Sequence, residues 1–216
     1  MIKNTIFLTI LVLALRFTAF ADSSVGFVNS GGTLSSSSGG SGSGLGTNNS
    51  LTLTGSTLIS VDGLNGGGLI TGSNLGSVGF STSDLTSGTL QMGGILAAGG
   101  TFTITGNGTG GIPNGVIFNG SFSGPVTWSL VTLANGTHNY TLSGSLSGAW
   151  YSGGTVNGAT VQLTINTGKG FFNGSTTIAS GDTNIMTTVP EPSTLGLLGT
   201  GLIGVAGVIR RKFKAV

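Results

Sequence analysis

The chain of 216 residues has no cysteine, one histidine and four prolines. The absence of cysteine excludes disulfides, zinc–thiolate sites and cysteine nucleophiles. A single histidine excludes a multi-histidine metal site built within one chain. Charge is also scarce, with seven Lys or Arg and five Asp or Glu. Glycine occurs 43 times, but there is no Gly-X-Y period and little proline, so a collagen-like chain is excluded.

Most of the charges lie at the two ends of the chain. Between residues 22 and 189 there is one cation, and the anions are four aspartates. The formal net charge of +2 therefore comes from the termini, and the middle has no basic patch of the kind that nucleic-acid binding requires. We expect no nucleic-acid partner. The charged residues of this middle segment are Lys169, Asp22, Asp62, Asp84 and Asp182.

Residues 1–21 have the organisation of a secretory signal peptide. A basic residue precedes the apolar run of residues 5–15, and a small-x-small sequence follows it. The run is shorter than the roughly 20 apolar residues that span a bilayer. We therefore predict a signal helix that signal peptidase removes, with an uncleaved N-terminal anchor as the alternative. The predicted cleavage site consists of Ala19, Ala21 and Asp22.

The C-terminal segment has three parts: a proline-flanked motif, an uncharged stretch and a basic end. The prolines keep the motif extended and outside any helix. Residues 194–209 carry no charge, and together with Ser193 they reach the lower length limit for a transmembrane helix. The basic end is predicted to stay in the cytoplasm, which leaves the rest of the chain outside. The motif is Pro190, Glu191 and Pro192, and the basic residues are Arg210, Arg211, Lys212 and Lys214.

This tail resembles the PEP-CTERM sorting signal of Gram-negative bacteria. The resemblance covers only residues 190–216: the motif at 190–192, the predicted helix at 194–209 and the basic tail at 210–216. It implies export through the inner membrane, transient anchoring there by the tail, and processing near the motif by an exosortase. It also implies an association with exopolysaccharide and the biofilm matrix. An ordinary single-pass anchor, which needs no such motif, is the alternative.

The middle of the chain, residues 22–181, is predicted to form one all-β domain. Apolar residues alternate with Thr and Ser in several runs, a period typical of half-buried strands; the run Val161, Leu163, Ile165 is the clearest. We predict an antiparallel β-sandwich or jelly roll. A β-solenoid is the alternative, although the spacing of Asn-Gly pairs shows no fixed repeat.

Asn-Gly pairs and Gly/Ser-rich stretches mark the predicted turns and linkers. Asn135-Gly136 is the best hairpin candidate and Asn157-Gly158 the next, because both residue types tolerate positive φ. Residues 35–46 are predicted to be a flexible loop. Residues 182–189 are predicted to be a linker between the β domain and the tail.

No catalytic or cofactor-binding constellation stands out in the sequence. Gly106, Gly108 and Gly111 spell G-x-G-x-x-G, but no βαβ context follows, so a β-turn is expected. The single imidazole, His138, is expected to be a solvated turn residue, and there is no G-x-S-x-G sequence around a serine. We expect no enzymatic activity, no metal and no cofactor.

Both tryptophans and both tyrosines lie between residues 128 and 151. Exposed aromatic rings on a β domain stack on sugar rings, which suggests a carbohydrate-binding module. The alternative is that Trp128 and Trp150 are core residues, as their strand parity indicates. The candidate glycan contacts are Trp128, Tyr140, Trp150 and Tyr151.

These observations together predict an exported, non-enzymatic structural protein of the bacterial cell surface or extracellular matrix. The alternative function is a carbohydrate-binding β-sandwich that uses the aromatic cluster. The expected partners are signal peptidase, an exosortase, the inner membrane transiently through residues 194–209, and exopolysaccharide.

Overall fold

The computed structural model describes residues 23–37 and 49–187. The predicted signal helix (1–21), the PEP motif and the predicted transmembrane helix (194–209) lie outside the described residues. A 3-10 turn spans Leu64–Gly66. The strands are β1 Ser23–Ser30, β2 Thr33–Ser36, β3 Leu51–Asp62, β4 Ile70–Ser81, β5 Leu85–Thr89, β6 Gly93–Leu96, β7 Gly99–Asn107, β8 Asn114–Phe122, β9 Val126–Thr132, β10 His138–Trp150, β11 Thr155–Asn166, β12 Ser175–Thr177 and β13 Ser180–Thr187.

Eight of these strands form a closed antiparallel barrel, in the order β1, β3, β4, β7, β8, β10, β11 and β13. The ring closes because β13 pairs with β1, from Ser23 opposite Thr187 to Asn29 opposite Gly181. The prediction of an all-β antiparallel fold is confirmed, but the sandwich is wrong, and the solenoid alternative is not what forms. Alternating burial is the same in a sandwich and in a barrel. Bulges such as those after Val28 and Leu146 increase strand twist and let one sheet coil onto itself.

Three barrel strands are interrupted and have a second strand beside them in the chain: β4 is followed by β5, β7 is preceded by β6, and β8 is followed by β9. The register of β4 with β7 continues in the pairing of β5 with β6, and that of β7 with β8 continues in the pairing of β6 with β9. The continuations pair with one another as β9–β6–β5, and β9 pairs with the first half of β10. We call these three strands the flange. When each pair is counted as one bent strand and the short strands β2 and β12 are set aside, neighbours in the barrel are consecutive in the chain, except for the closing pair of β13 and β1.

The barrel interior is filled by apolar side chains. One continuous cluster of buried residues extends from the barrel into the flange. Phe80, Phe102 and Phe122 pack together there with ring centroids 5.9–6.0 Å apart, in stacked and edge-to-face arrangements that aromatic rings favour. An eight-stranded barrel is just wide enough for side chains to fill it, so the interior of this one serves as its core.

The Asn-Gly pairs divide between turns and strands. Asn135-Gly136 forms the turn between β9 and β10, as predicted, and Gly136 donates its N–H to the Leu133 carbonyl. Asn157-Gly158, by contrast, lies within β11, where the register shifts opposite Leu146 and Gly158 takes a φ of 90°. Positive φ therefore serves a bulge there and not a turn.

Two predicted boundaries change. Residues 182–187 belong to β13: all of them pair with β1, and residues 182–184 also pair with β11, so they are not part of a linker. Ser35 and Ser36, predicted to begin a flexible loop, belong to β2; residues 38–48 lie outside the described residues. Within residues 23–37 and 49–187, no helix has the length and apolar character that a membrane crossing requires.

Candidate functional site

The four aromatic residues of the predicted cluster separate into two places. Trp128 and Tyr140 are buried in the core and stack on each other with ring centroids 5.0 Å apart. Trp150 lies at the edge of the core, where its ring meets that of Phe27 edge to face. Tyr151 is 37% exposed. The structure therefore does not bring the four rings together on one outer surface.

Trp128 and Tyr140 use their polar atoms to hold the turn between β5 and β6. The Trp128 Nε1–H donates to the Leu90 carbonyl at 2.8 Å, and the Tyr140 hydroxyl donates to the Gln91 carbonyl at 2.6 Å. The same hydroxyl accepts the Phe172 N–H at 3.0 Å. Burial raises the pKa of Tyr140, and the smaller effect of the Phe172 N–H lowers it. These two rings fasten the flange to the barrel and present no face to solvent.

Tyr151 is the one member of the predicted cluster with a substantially exposed ring. Its hydroxyl donates to the side-chain oxygen of Asn65, in the 3-10 turn after β3. Its ring lies 5.3 Å from that of Trp150 in a tilted arrangement. A glycan contact through aromatic rings would therefore depend on Tyr151. It stays a prediction.

His138 is the first residue of β10 and is buried, not solvated as expected. Its Nδ1 lies 3.0 Å from the Thr132 hydroxyl, and its ring stacks on that of Phe171 with centroids 4.3 Å apart. In the part of the chain that the structure describes, no three His, Asp or Glu side chains converge as metal ligands would. These contacts give His138 a packing role between β10 and the loop before β12.

A concave surface on the outside of the barrel was not found by sequence reasoning. It has a volume of about 550 Å³ and lies across β9, β10, β11, β13 and β1, where β8 gives way to β9. We call it the outer groove. Its polar side chains are Thr127, Ser143, Ser145, Thr160, Gln162, Asp182 and Asn184, and Gly26, Pro125, Gly144 and Val161 complete the lining.

Strand register arranges these polar side chains in two parallel rows. One row crosses four strands, because Ser143 pairs with both Thr127 and Gln162, and Gln162 pairs with Asp182. The second row crosses β10, β11 and β13 and ends at Gly26 of β1; its members are Ser145, Thr160 and Asn184. Neighbouring strands lie about 4.8 Å apart, so the first row extends for roughly 14 Å.

The polar side chains of the outer groove have no partners within the part of the chain that the structure describes. Some polar side chains on another outer face do pair across strands: Ser77 with Thr105 at 2.7 Å, and Ser81 with Thr101 at 2.9 Å. None of the seven groove side chains has a hydrogen bond or ion pair in the described ranges. Seven unpaired donors and acceptors therefore point into one concavity.

The sorting-motif residues Pro190, Glu191 and Pro192, the cleavage-site residues Ala19, Ala21 and Asp22, and the basic residues Arg210 to Lys214 all lie outside the described residues. What the structure does place are the two ends of the barrel that lead to them. Ser23 and Thr187 are directly paired, and only two residues separate Thr187 from the motif.

Comparison with known families confirms the resemblance of the tail. The family model of the PEP-CTERM protein-sorting motif matches residues 188–212, and the β domain matches no family model. No curated protein and no solved structure is detectably similar to the chain. The matched motif implies an exported protein that an exosortase sorts.

Proposed function

Because the tail carries a PEP-CTERM sorting motif, we propose that this chain is a non-enzymatic component of the surface or extracellular matrix of a Gram-negative bacterium. Signal peptidase removes residues 1–21, the tail holds the protein transiently in the inner membrane, and an exosortase then releases the β barrel. The barrel acts through its sparsely charged, hydroxyl-rich outer surface in the hydrated matrix.

The sorting motif carries the proposal, and the pairing of the two ends of the barrel supports it. Ser23 lies opposite Thr187 in the ladder that closes the ring. A cut before Asp22 and a cut near residues 190–192 would both leave every barrel strand intact. The terminal segments therefore fit a role as removable address signals on either side of a complete domain.

The chemistry of the barrel supports a role without catalysis. The charged residues of the described ranges are Asp62, Asp84, Asp182 and Lys169, too few and too scattered for paired-carboxylate chemistry. His138 packs between a threonine and a phenylalanine ring. The outer faces instead carry Ser, Thr and Asn side chains, which hydrate well without the strong fields of a charged surface.

Cell fractionation of variants in the host tests the proposal. We expect the wild-type protein in the surface or matrix fraction, and Glu191→Ala or deletion of residues 190–192 to leave it in the membrane fraction. Asp84→Ala is the matched control, since it removes one exposed carboxylate from the loop between β4 and β5 and should follow wild type. If the motif variants reach the matrix like wild type, the proposal fails.

A further inference from the structure

We propose that the outer groove binds a segment of neutral polysaccharide through the hydroxyl, amide and carboxylate groups of its two polar rows. This inference rests on the proposed function, because it supplies the ligand that would hold the barrel in a polysaccharide matrix. The site is separate from the aromatic residues considered above and shares none of them. It involves binding only, with no covalent step.

The hydrogen-bonding groups of the groove match those of a sugar chain. Each sugar hydroxyl both donates and accepts, and so do the hydroxyls of Ser and Thr and the amides of Gln162 and Asn184. Asp182 adds an acceptor that forms stronger, charge-assisted bonds with hydroxyl donors. Because the groove side chains have no partners within the described residues, binding would not break existing hydrogen bonds of the protein.

The shape of the groove favours a piece of a polymer over a small ion. Its volume of about 550 Å³ falls within the roughly 300–1,000 Å³ of typical ligand sites. The row from Thr127 to Asp182 extends for about 14 Å across four strands. A linear, hydroxyl-bearing ligand could contact both rows along this length.

The charges of the groove argue against ionic ligands. Asp182 is its one charged side chain, and the one cation among the described residues, Lys169, lies in the loop before β12 and not in the groove. Anionic polymers therefore find no positive partner and meet a carboxylate. A single carboxylate is also a poor calcium site, since calcium takes six to eight oxygen ligands and usually several carboxylates.

The position of the groove argues against a peptide strand as the ligand. A peptide that extends a sheet needs an open edge with free backbone groups. The groove lies on the face of the sheet, where β10, β11 and β13 each pair with neighbours on both sides. Its available groups are side chains, which suit a ligand that bonds through hydroxyls.

A substitution at Gly26 can block the groove without disturbing the strand. Gly26 ends the second row, and a Cβ built there meets nothing within 4 Å. Its φ lies outside the left-handed region, so a larger residue fits the backbone. Leucine at this position would project into the groove and exclude a ligand. Gly154, in the turn between β10 and β11, has the same open surroundings and ordinary φ but lies outside the groove.

Affinity gel electrophoresis tests the inference on the processed protein purified from its host. The gels contain dextran, hydroxyethyl cellulose, the neutral polysaccharide fraction of the host's own extracellular matrix, or alginate as the anionic comparison. We expect at least one neutral polysaccharide to retard the wild-type protein and alginate not to do so. Gly26→Leu and Asp182→Ala should each reduce this retardation at least tenfold on the concentration scale, and Gly154→Leu should leave it unchanged.

The outcomes separate the inference from the proposed function. If none of the neutral polysaccharides retards the wild-type protein, the groove is not a polysaccharide-binding site. The same conclusion follows if a folded Gly26→Leu variant is retarded as strongly as wild type. Neither result changes the cellular location of the protein, which fractionation measures separately and on which the proposed function depends. A thermal unfolding curve for each variant verifies folding, and Asp182→Ala, which only truncates an exposed side chain, provides the second reading if Gly26→Leu does not fold.

Discussion

At the scale of single residues, buried polar atoms join separate parts of the chain. The Tyr140 hydroxyl serves two backbone groups at once, accepting from Phe172 and donating to Gln91. Trp128 adds a third bond, to Leu90. A buried polar group without a partner costs about 1–3 kcal/mol. Loss of one of these hydrogen bonds should therefore weaken the packing of the flange on the barrel.

Removing the Tyr140 hydroxyl should therefore destabilise the protein. We expect Tyr140→Phe to lower the free energy of unfolding by about 1–3 kcal/mol, because the buried Phe172 N–H loses its acceptor. Tyr151→Phe removes only an exposed hydrogen bond to Asn65 and should stay within about 0.5 kcal/mol of wild type. Urea unfolding of both variants measures the difference. Equal stabilities would contradict the structural role of Tyr140.

The raised pKa of Tyr140 has a consequence for pH dependence. Its folded-state pKa lies above the unfolded value of 10.0 because of burial. The unfolded chain therefore loses this proton first as pH rises, and the contribution to stability, complete below pH 10, declines above it. Absorbance titration of the folded protein at 295 nm should show a delayed tyrosine ionisation that Tyr140→Phe removes. A titration that the substitution leaves unchanged in shape would contradict this.

At the scale of strands, glycine allows two neighbours to approach closely. Gly120 of β8 pairs directly with Gly148 of β10. A Cβ at Gly148 would lie 2.5 Å from the Gly120 Cα and also overlap the carbonyl oxygen of Asn119. These two strands could not keep their present distance with side chains at this pair.

Gly148→Ala should accordingly destabilise the barrel by about 1–3 kcal/mol, the usual cost of an overpacked site. Gly26→Ala is the matched control, since it also lies in a barrel strand but its Cβ would meet nothing within 4 Å. This control should be neutral or stabilise by up to about 1 kcal/mol. Thermal unfolding of both variants decides the matter, and a neutral Gly148→Ala would show that the strands separate at little cost.

The strands illustrate what a sequence pattern can predict. Alternation in residues 161–165 places Val161, Leu163 and Ile165 on the buried face, as the structure confirms. The turn at Asn135-Gly136 is also predictable, because its partners are adjacent in the chain. Asn157-Gly158 has the same residue types, yet it forms a bulge, since the register opposite Leu146 is decided by a neighbouring strand.

At the scale of the whole molecule, the barrel is defined by the pairing of its first and last strands. The pairing of Ser23 with Thr187 joins opposite ends of the domain. No sequence feature within either segment predicts that the two strands pair. The sandwich and the barrel therefore predict the same alternation and the same hairpins. The outer groove was missed for a related reason, because Gln162 and Asp182 become neighbours only through the register of β11 and β13.

The most direct test of the account is the intact mass of the processed protein purified from its host. We predict a chain that begins at Asp22 and ends within or beside residues 190–192, so that β1 and β13 are both complete. A mass that still includes residues 194–209 would contradict release by processing. A C-terminus inside Ser180–Thr187 would contradict the account more deeply, because it would remove the strand that closes the barrel.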